Sequence, residues 1–282
     1  MNGIIACIDG SIYTQSVTDH AAWAAARLKT PIELLQVLKH RNAGSSDLSG
    51  AIAADAQQTL LTELATLDAA KAKLLQKHAR QVLDEAKTRL ASAGISDVTI
   101  SLRHGDFLEA LAAREANADL IVIGKRGEAA DFAKLHLGSN LERVLRSSHK
   151  PVLVAARAFR PIKSVLIAFD GGATALKVVD HVARSQLFAG LTLQLIMVGG
   201  DPMTAQKQLD AASATLKAGC HQVETRHEQG VADKVFAALV AAGGVDLLVM
   251  GAYGHSRIRN LVIGSTTTEM IRSCKIPIML FR

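Results

Sequence analysis

Two Asp-Gly pairs and two clusters of glycine and hydroxyl residues are the parts of this sequence whose chemistry is most easily named. Asp9-Gly10 ends the apolar run Ile4-Ile5-Ala6-Cys7-Ile8, and Asp170-Gly171 ends Val165-Leu166-Ile167-Ala168-Phe169. Farther along, Gly124 and Gly127 precede Gly138-Ser139-Asn140, while Gly251 and Gly254 precede Gly264-Ser265-Thr266. Glycine at a strand end lets backbone approach a ligand closely. A helix that opens with Gly-Ser offers N–H groups, hydroxyls and the positive end of its dipole to an anion, a combination suited to a phosphate chain. Aspartate repels phosphate but accepts hydrogen bonds from an amino group or a sugar hydroxyl. A nucleotide is the simplest ligand with both chemistries. Taken singly, each feature has a plainer reading: Asp9 and Asp170 can cap their own turns, and Gly124 and Gly251 can be ordinary strand ends.

Other polar residues carry less. Lys125, Arg126, Lys134, His136, His255, Arg257 and Arg259 lie near the glycine clusters, where they either touch phosphate or stand as solvated loop charges. His221 and His227 share a strand face, yet no Cys/His/Asp grouping has metal-ligand spacing, and no metal site is expected. Cys7 reads as core packing. The sequence has no Gly-Lys-Ser/Thr phosphate loop, no Gly-x-Ser-x-Gly elbow and no Ser-Gly-Gly-x-Asp-Ser loop. No positioned base emerges, so a binding or signalling module is expected rather than an enzyme, with slow hydrolysis of a bound nucleotide left open.

These groups are positioned by a sequence that repeats itself. Besides the two Asp-Gly strands, Asp119-Leu-Ile-Val-Ile-Gly124 is answered by Asp246-Leu-Leu-Val-Met-Gly251, and Pro151-Val-Leu-Val154 by Pro277-Ile-Met-Leu280. With 282 residues, two domains of one design account for the length. Residues 49% apolar and 21% charged, with a mean hydropathy of +0.20, describe a globular chain. Three cysteines, none in a CxxC pair, exclude a disulfide framework. The net charge of +6 is not gathered into a basic block, and one Trp with two Tyr leave few stacking surfaces, so no nucleic-acid partner is expected. No apolar run is long enough to span a membrane, and the N-terminus has no secretory pattern, so a cytoplasmic location is expected.

Short apolar runs alternating with helical patterns predict βα units and buried parallel sheets. Strands are expected at 34–38, 95–103, 119–123 and 152–155 after the first Asp-Gly strand. In the second copy they are expected at 164–169, 192–198, 220–228, 246–250 and 278–281. Helices are expected after Thr14 as a cap, at 107–117 and at 140–147, with 156–161 as the linker. Residues 51–93, rich in Ala, Leu, Lys, Gln and Glu, read as one long or two consecutive helices. The second copy is shorter by 34 residues, so this segment is an insertion. Its stripe of Leu60, Leu61, Leu64, Leu67, Leu74, Leu75 and Val82 is expected to face the core in the main, otherwise a partner. The fold class is therefore α/β: two doubly wound domains, each a five-stranded parallel sheet of order 3-2-1-4-5 with helices on both faces. The domains are expected at 1–156 and 162–282. Strand five of each is an apolar edge, and pairing the two edges about a pseudo-twofold axis would cover both.

At the Asp-Gly and glycine-cluster residues the sequence resembles the universal stress protein family in its tandem form. ATP-binding members carry G-x2-G-x9-G-[S/T], and Gly251-x2-Gly254-x9-Gly264-Ser265 fits it without a gap. In the first copy Gly124-x2-Gly127-x10-Gly138-Ser139 has one extra residue, and Asn140 stands where Thr266 stands in the second. The resemblance implies adenine and ribose near Ala168, Phe169, Asp170, Val198 and Met250. It implies phosphates at Gly251, Gly254, Gly264, Ser265 and Thr266. The matching residues of the first copy are Cys7, Ile8, Asp9, Val37, Ile123, Gly124, Gly127, Gly138, Ser139 and Asn140. The function implied is a cytoplasmic stress-response protein that binds ATP or a related adenine nucleotide, with or without magnesium, mainly in the second domain. It would work with an unknown protein partner, as a pseudo-dimer within one chain that is open to further dimerisation. The alternative is a non-nucleotide scaffold, or a protein binding an apolar ligand or partner, with vestigial sites.

Overall fold

A computed structural model of the chain describes residues 3–38, 54–125, 138–252 and 264–282. The first half runs β1 (Gly3–Cys7), α1 (Thr14–Leu28), β2 (Ile32–Leu38), α2 (Ala54–Ser92), β3 (Val98–His104), α3 (Phe107–Glu115), β4 (Ala118–Gly124), α4 (Ser139–Ser147) and β5 (Val152–Ala155). The second repeats it as β6 (Ser164–Phe169), α5 (Ala173–Arg184), β7 (Thr192–Val198), α6 (Pro202–Ala218), β8 (Gln222–Glu228), α7 (Ala232–Ala242), β9 (Leu247–Gly251), α8 (Ser265–Ser273) and β10 (Ile278–Phe281). A 3₁₀ turn at Gln186–Phe188 follows α5.

Each half has its strands in the order 3-2-1-4-5, all parallel, as the alternation of short apolar runs and helices requires. The halves do not form separate sheets. β5 and β10 pair antiparallel, giving the continuous order β3-β2-β1-β4-β5-β10-β9-β6-β7-β8. Leu153 faces Met279 in this ladder, flanked by Val152 opposite Leu280 and Val154 opposite Ile278. Leu153 and Met279 are equivalent residues of the repeat, so the pseudo-twofold axis passes through their pair, and the interface is self-complementary. All residues of β5 and β10 are buried, whereas β3 and β8 at the outer edges carry several exposed positions.

Two apolar layers cover the sheet, and each crosses from one half into the other. One packs α1, α2, α5 and α6 through residues such as Val17, Leu83, Val178 and Leu209. The other packs α3, α4, α7 and α8 through Leu111, Val144, Phe236 and Met270. The connection after β5 is also docked: Ser16 Oγ donates to the Ala156 carbonyl at 2.6 Å, and Phe159 meets the His20 ring edge-on at 5.0 Å. Arg27 of α1 reaches across to the Leu187 carbonyl at 2.6 Å and to that of Ala189.

Several expectations need correction. Thr14 does not cap α1; Tyr13 occupies the cap position, and Thr14 Oγ1 is buried without a partner. The cap-like bond instead runs from the Tyr13 N–H to Ser11 Oγ at 3.2 Å. β2 begins two residues early at Ile32, while β3 begins late at Val98 because Gly94 and its neighbours form the turn out of α2. α2 is a single helix, but its leucine stripe is not core. Leu61, Leu64, Leu67, Leu74 and Leu75 are exposed, and of the expected stripe only Val82 is buried. The residues that do pack lie farther along, at Ala79, Leu83, Ala86 and Leu90, because only the C-terminal part of α2 lies on the sheet.

Truncating the seam should weaken both halves together. Leu153→Ala removes a fully buried side chain, and the expected loss is about 2–5 kcal/mol in denaturant unfolding, with one cooperative transition shared by both halves. Burial lowers the pKa values of His20 and His181 below the ordinary 6.5. The unfolded chain therefore binds more protons than the folded one as pH falls through that value, and stability decreases on acidification. Replacing both histidines with Gln should flatten this dependence in denaturant titrations repeated between about pH 5 and 8.

Candidate functional site

In a doubly wound sheet the crevice opens at the carboxyl ends of the two strands where the order reverses. Here those are β1 and β4 in the first half and β6 and β9 in the second, each pair adjacent in the sheet. Asp9 and Gly124 thus lie at one crevice, and Asp170 and Gly251 at the other. The glycines after both aspartates have positive φ, +76° at Gly10 and +73° at Gly171, a conformation that side chains with a Cβ rarely adopt. That turn is closed by the aspartates themselves. Asp9 Oδ1 accepts from the Ser11 N–H at 3.0 Å, and Asp170 Oδ1 from the Gly172 N–H at 2.9 Å. The plain capping role is therefore present, but a carboxylate can accept several hydrogen bonds and can serve its turn and a ligand at once.

The roofs of the two turns differ. A Cβ on Gly171 would lie 2.5 Å from Gln208 Oε1 of α6, whereas one on Gly10 would have His78 Nε2 of α2 at 3.6 Å. The second turn is thus the more closely packed.

The helix openings complete the geometry. Gly138 is the N-cap residue of α4 and Gly264 that of α8, and the first intrahelical bonds run from Glu142 to Gly138 at 3.1 Å and from Thr268 to Gly264 at 2.9 Å. The N–H groups of Ser139 and Asn140, like those of Ser265 and Thr266, fall ahead of any intrahelical acceptor. Each opening is fastened to its strand end: the Gly138 N–H bonds the Lys125 carbonyl at 3.4 Å, and the Gly264 N–H that of Ala252 at 3.3 Å. Gly127 and Gly254, with Arg126, Lys134, His136, His255, Arg257 and Arg259, lie outside the described residues.

Along the crevice walls, strand alternation sorts the expected ligand contacts. Ala168, Val198 and Met250 face the layer shared with α7 and α8, as Cys7, Val37 and Ile123 face that shared with α3 and α4. Phe169 and Ile8 point to the opposite layer. Their side chains belong to the core, and only their backbone groups border the crevice.

Three residues stand out that the spacing did not single out for these roles. Thr267 is buried, and its Oγ1 donates to the Gly251 carbonyl at 3.2 Å, binding the third residue of α8 to the strand-end glycine. Its counterpart, Leu141, has no hydroxyl and packs as core. A threonine on a helix face otherwise read as apolar was the available signal. Ser11 adds a hydroxyl to the first turn where the second has Gly172. Lys125 is neither solvated nor turned to the crevice: its buried ammonium donates to the Cys274 carbonyl of the other half. His221 precedes β8 and is buried, while His227 Nε2 contacts the Gly199 carbonyl at 2.8 Å. Among the described residues no three His, Cys, Asp or Glu groups gather as a metal centre.

Burial, reinforced by Asp9 and Glu33, pushes the Cys7 thiol far above its usual range, and burial raises Cys274 to about 11 against the opposing effect of Lys125. Cys220 is exposed. In the folded protein near pH 8, a thiol reagent should modify Cys220 quickly and the other two only on unfolding. Rapid loss of the Cys7 thiol, followed by peptide mapping, would contradict this account.

The model of the "Universal stress protein family" matches residues 1–156 and 194–282. A universal stress protein of Synechocystis is 40% identical over 288 residues, spanning 100% of both chains. One from Mycobacterium tuberculosis is 22% identical over 305 residues, covering 99% of this chain and 95% of its own. In fold, the crystal structure of a universal stress protein from Archaeoglobus fulgidus superposes with a TM-score of 0.71 at 20% identity, over 100% of this chain and 98% of that one.

Proposed function

Because this chain belongs to the universal stress protein family, we propose that it is a cytoplasmic stress-response protein that binds ATP or a related adenine nucleotide, chiefly in its second half. The observation that carries the reading is the meeting, at one reversal of strand order, of a strand-end glycine, an aspartate turn and a helix opening fastened to that strand. Asp170 would accept from the ribose or the adenine amino group. Ala168, Val198 and Met250 would border the base, and the backbone of Gly251 and Gly264 with the hydroxyls of Ser265 and Thr266 would hold the phosphates, with magnesium neutralising charge when present. Gly254 would complete the motif. The corresponding units would be residues 1–156 and 162–282.

The halves would not bind equally. In the second, Thr267 pins the helix opening to Gly251; in the first, Leu141 leaves that link out, Asn140 replaces a hydroxyl, and the glycine spacing has one more residue. A loop longer by one residue costs only about 0.1 kcal/mol in closure entropy, so the difference lies in where the donors fall. One or two lost charge-assisted hydrogen bonds correspond to about tenfold weaker binding. Among the described residues the crevices hold no evident base, and the aspartates already serve as turn caps, which favours a nucleotide-responsive binding or signalling module over a catalyst.

Mass spectrometry of the gently purified, denatured protein should find co-released ATP, and calorimetric titration of emptied protein should resolve a tighter and a weaker site. Gly254→Val should abolish the tighter phase and Gly127→Val the weaker. Loss of the tighter phase in the Gly127 variant alone would reverse the order, and protein with neither bound nor added-nucleotide affinity would favour the scaffold reading.

A further inference from the structure

The α2 helix is longer than its own fold requires. It spans 39 residues where its counterpart α6 spans 17. Ala79, Leu83, Ala86 and Leu90 of α2 lie on the sheet as Ala205, Leu209, Ala212 and Leu216 of α6 do. Ahead of them, every residue from Leu61 to Leu75 is exposed. An isolated helical segment draws little stability from its own hydrogen bonds, and most helices in proteins depend on packing an apolar face. This one has such a face: Leu61, Leu64, Leu67, Leu74 and Leu75 are 42–67% exposed. Leu60, Leu67 and Leu74 recur at the seven-residue interval of a coiled-coil seam, and Leu61 and Leu75 flank it two such intervals apart. The seam from Leu60 to Leu75 is about 23 Å long at 1.5 Å per residue.

Its charges choose the occupant. Exposed Glu63 lies in the N-terminal half of the seam and exposed Asp68 at its centre, with exposed Lys71 and Lys73 in the C-terminal half and exposed Lys77 and Arg80 beyond it. The leucines are also symmetric in position: the 60/61 pair and the 74/75 pair lie equally far from the midpoint between residues 67 and 68. We propose that this exposed stretch of α2 is a homodimerisation surface, on which the α2 helices of two copies pair antiparallel about a twofold axis near Leu67 and Asp68. In that arrangement Leu60 meets Leu75 and Leu61 meets Leu74, while Lys71 lies over Leu64 with its ammonium toward Glu63 of the other copy. Parallel pairing would set acid against acid and base against base. The contact lies on a helix remote from the β5–β10 seam, and it does not depend on nucleotide.

Sedimentation equilibrium of the full chain tests the pairing. The wild type should show a concentration-dependent monomer–dimer equilibrium. Leu67→Glu with Leu74→Glu should raise its dissociation constant about a hundredfold, leaving the folded monomer intact because both side chains are exposed. Glu63→Lys with Asp68→Lys, and separately Lys71→Glu with Lys73→Glu, should each weaken the homodimer about tenfold, while an equimolar mixture of these two variants should associate as tightly as the wild type. A wild type that is monomeric up to about 100 μM, far weaker than specific interfaces, overturns the proposal. So does a dimer indifferent to the leucine changes, or one that the leucine changes weaken and the charge changes do not. Co-sedimentation of monomeric protein with anionic phospholipid vesicles, lost in the leucine variant, would assign the stripe to a membrane surface instead.

Discussion

The antiparallel pairing of β5 with β10 is the constraint on which the architecture rests. Each half alone would end its sheet in a short strand apolar on both faces, an edge with unpaired N–H and C=O groups inviting association. Joining the edges satisfies both ladders and makes the two apolar layers continuous from one half to the other. The join needs self-complementary register, which follows when equivalent residues, Leu153 and Met279, stand opposite each other. Arg27 and Lys125 then reinforce across the halves what the strands already fix.

One consequence is that the two crevices are held in a fixed mutual relation, although neither is shared. Each lies two strands from the seam, at β1/β4 or β6/β9, and is built from its own half. Differences between the crevices therefore arise locally, from side chains at matched positions. Thr267 against Leu141 changes how firmly the helix opening is fastened. Gln208 against His78 changes how closely a helix covers the Asp-Gly turn. A duplicated fold lets the two crevices diverge, because a substitution beside one crevice that preserves burial leaves the sheet and both layers in place.

Much of this was legible in the sequence, for a physical reason: buried parallel strands must be short and apolar, so the order of elements and the reversal points could be read from composition and repeat. The Asp-Gly turns were equally legible, since a left-handed residue after a capping aspartate calls for glycine. What the sequence did not disclose was direction. Nothing in Lys125 indicates that its stem runs under the seam to Cys274 rather than into the crevice. The α1 cap was misplaced at Thr14 because the turn at Ser11, whose Oγ accepts from the Tyr13 N–H, starts the helix one residue earlier, with Tyr13 at the cap position.

The leucines of α2 failed as a core assignment for a related reason. Helical periodicity reports that a helix has an apolar face, and it does not report how far the surface beneath that helix extends. The sheet in each half accepts about the length of α6, and the counterpart residues Ala79 to Leu90 fill that length with small and large side chains alternating against the strands. Once those positions are taken, a longer helix must run past the sheet edge, and the seven-residue series of Leu60, Leu67 and Leu74 would continue to Gln81, two positions out of phase with Leu83 and Leu90. The break in phase along one uninterrupted helix therefore marks where it stops belonging to its own core.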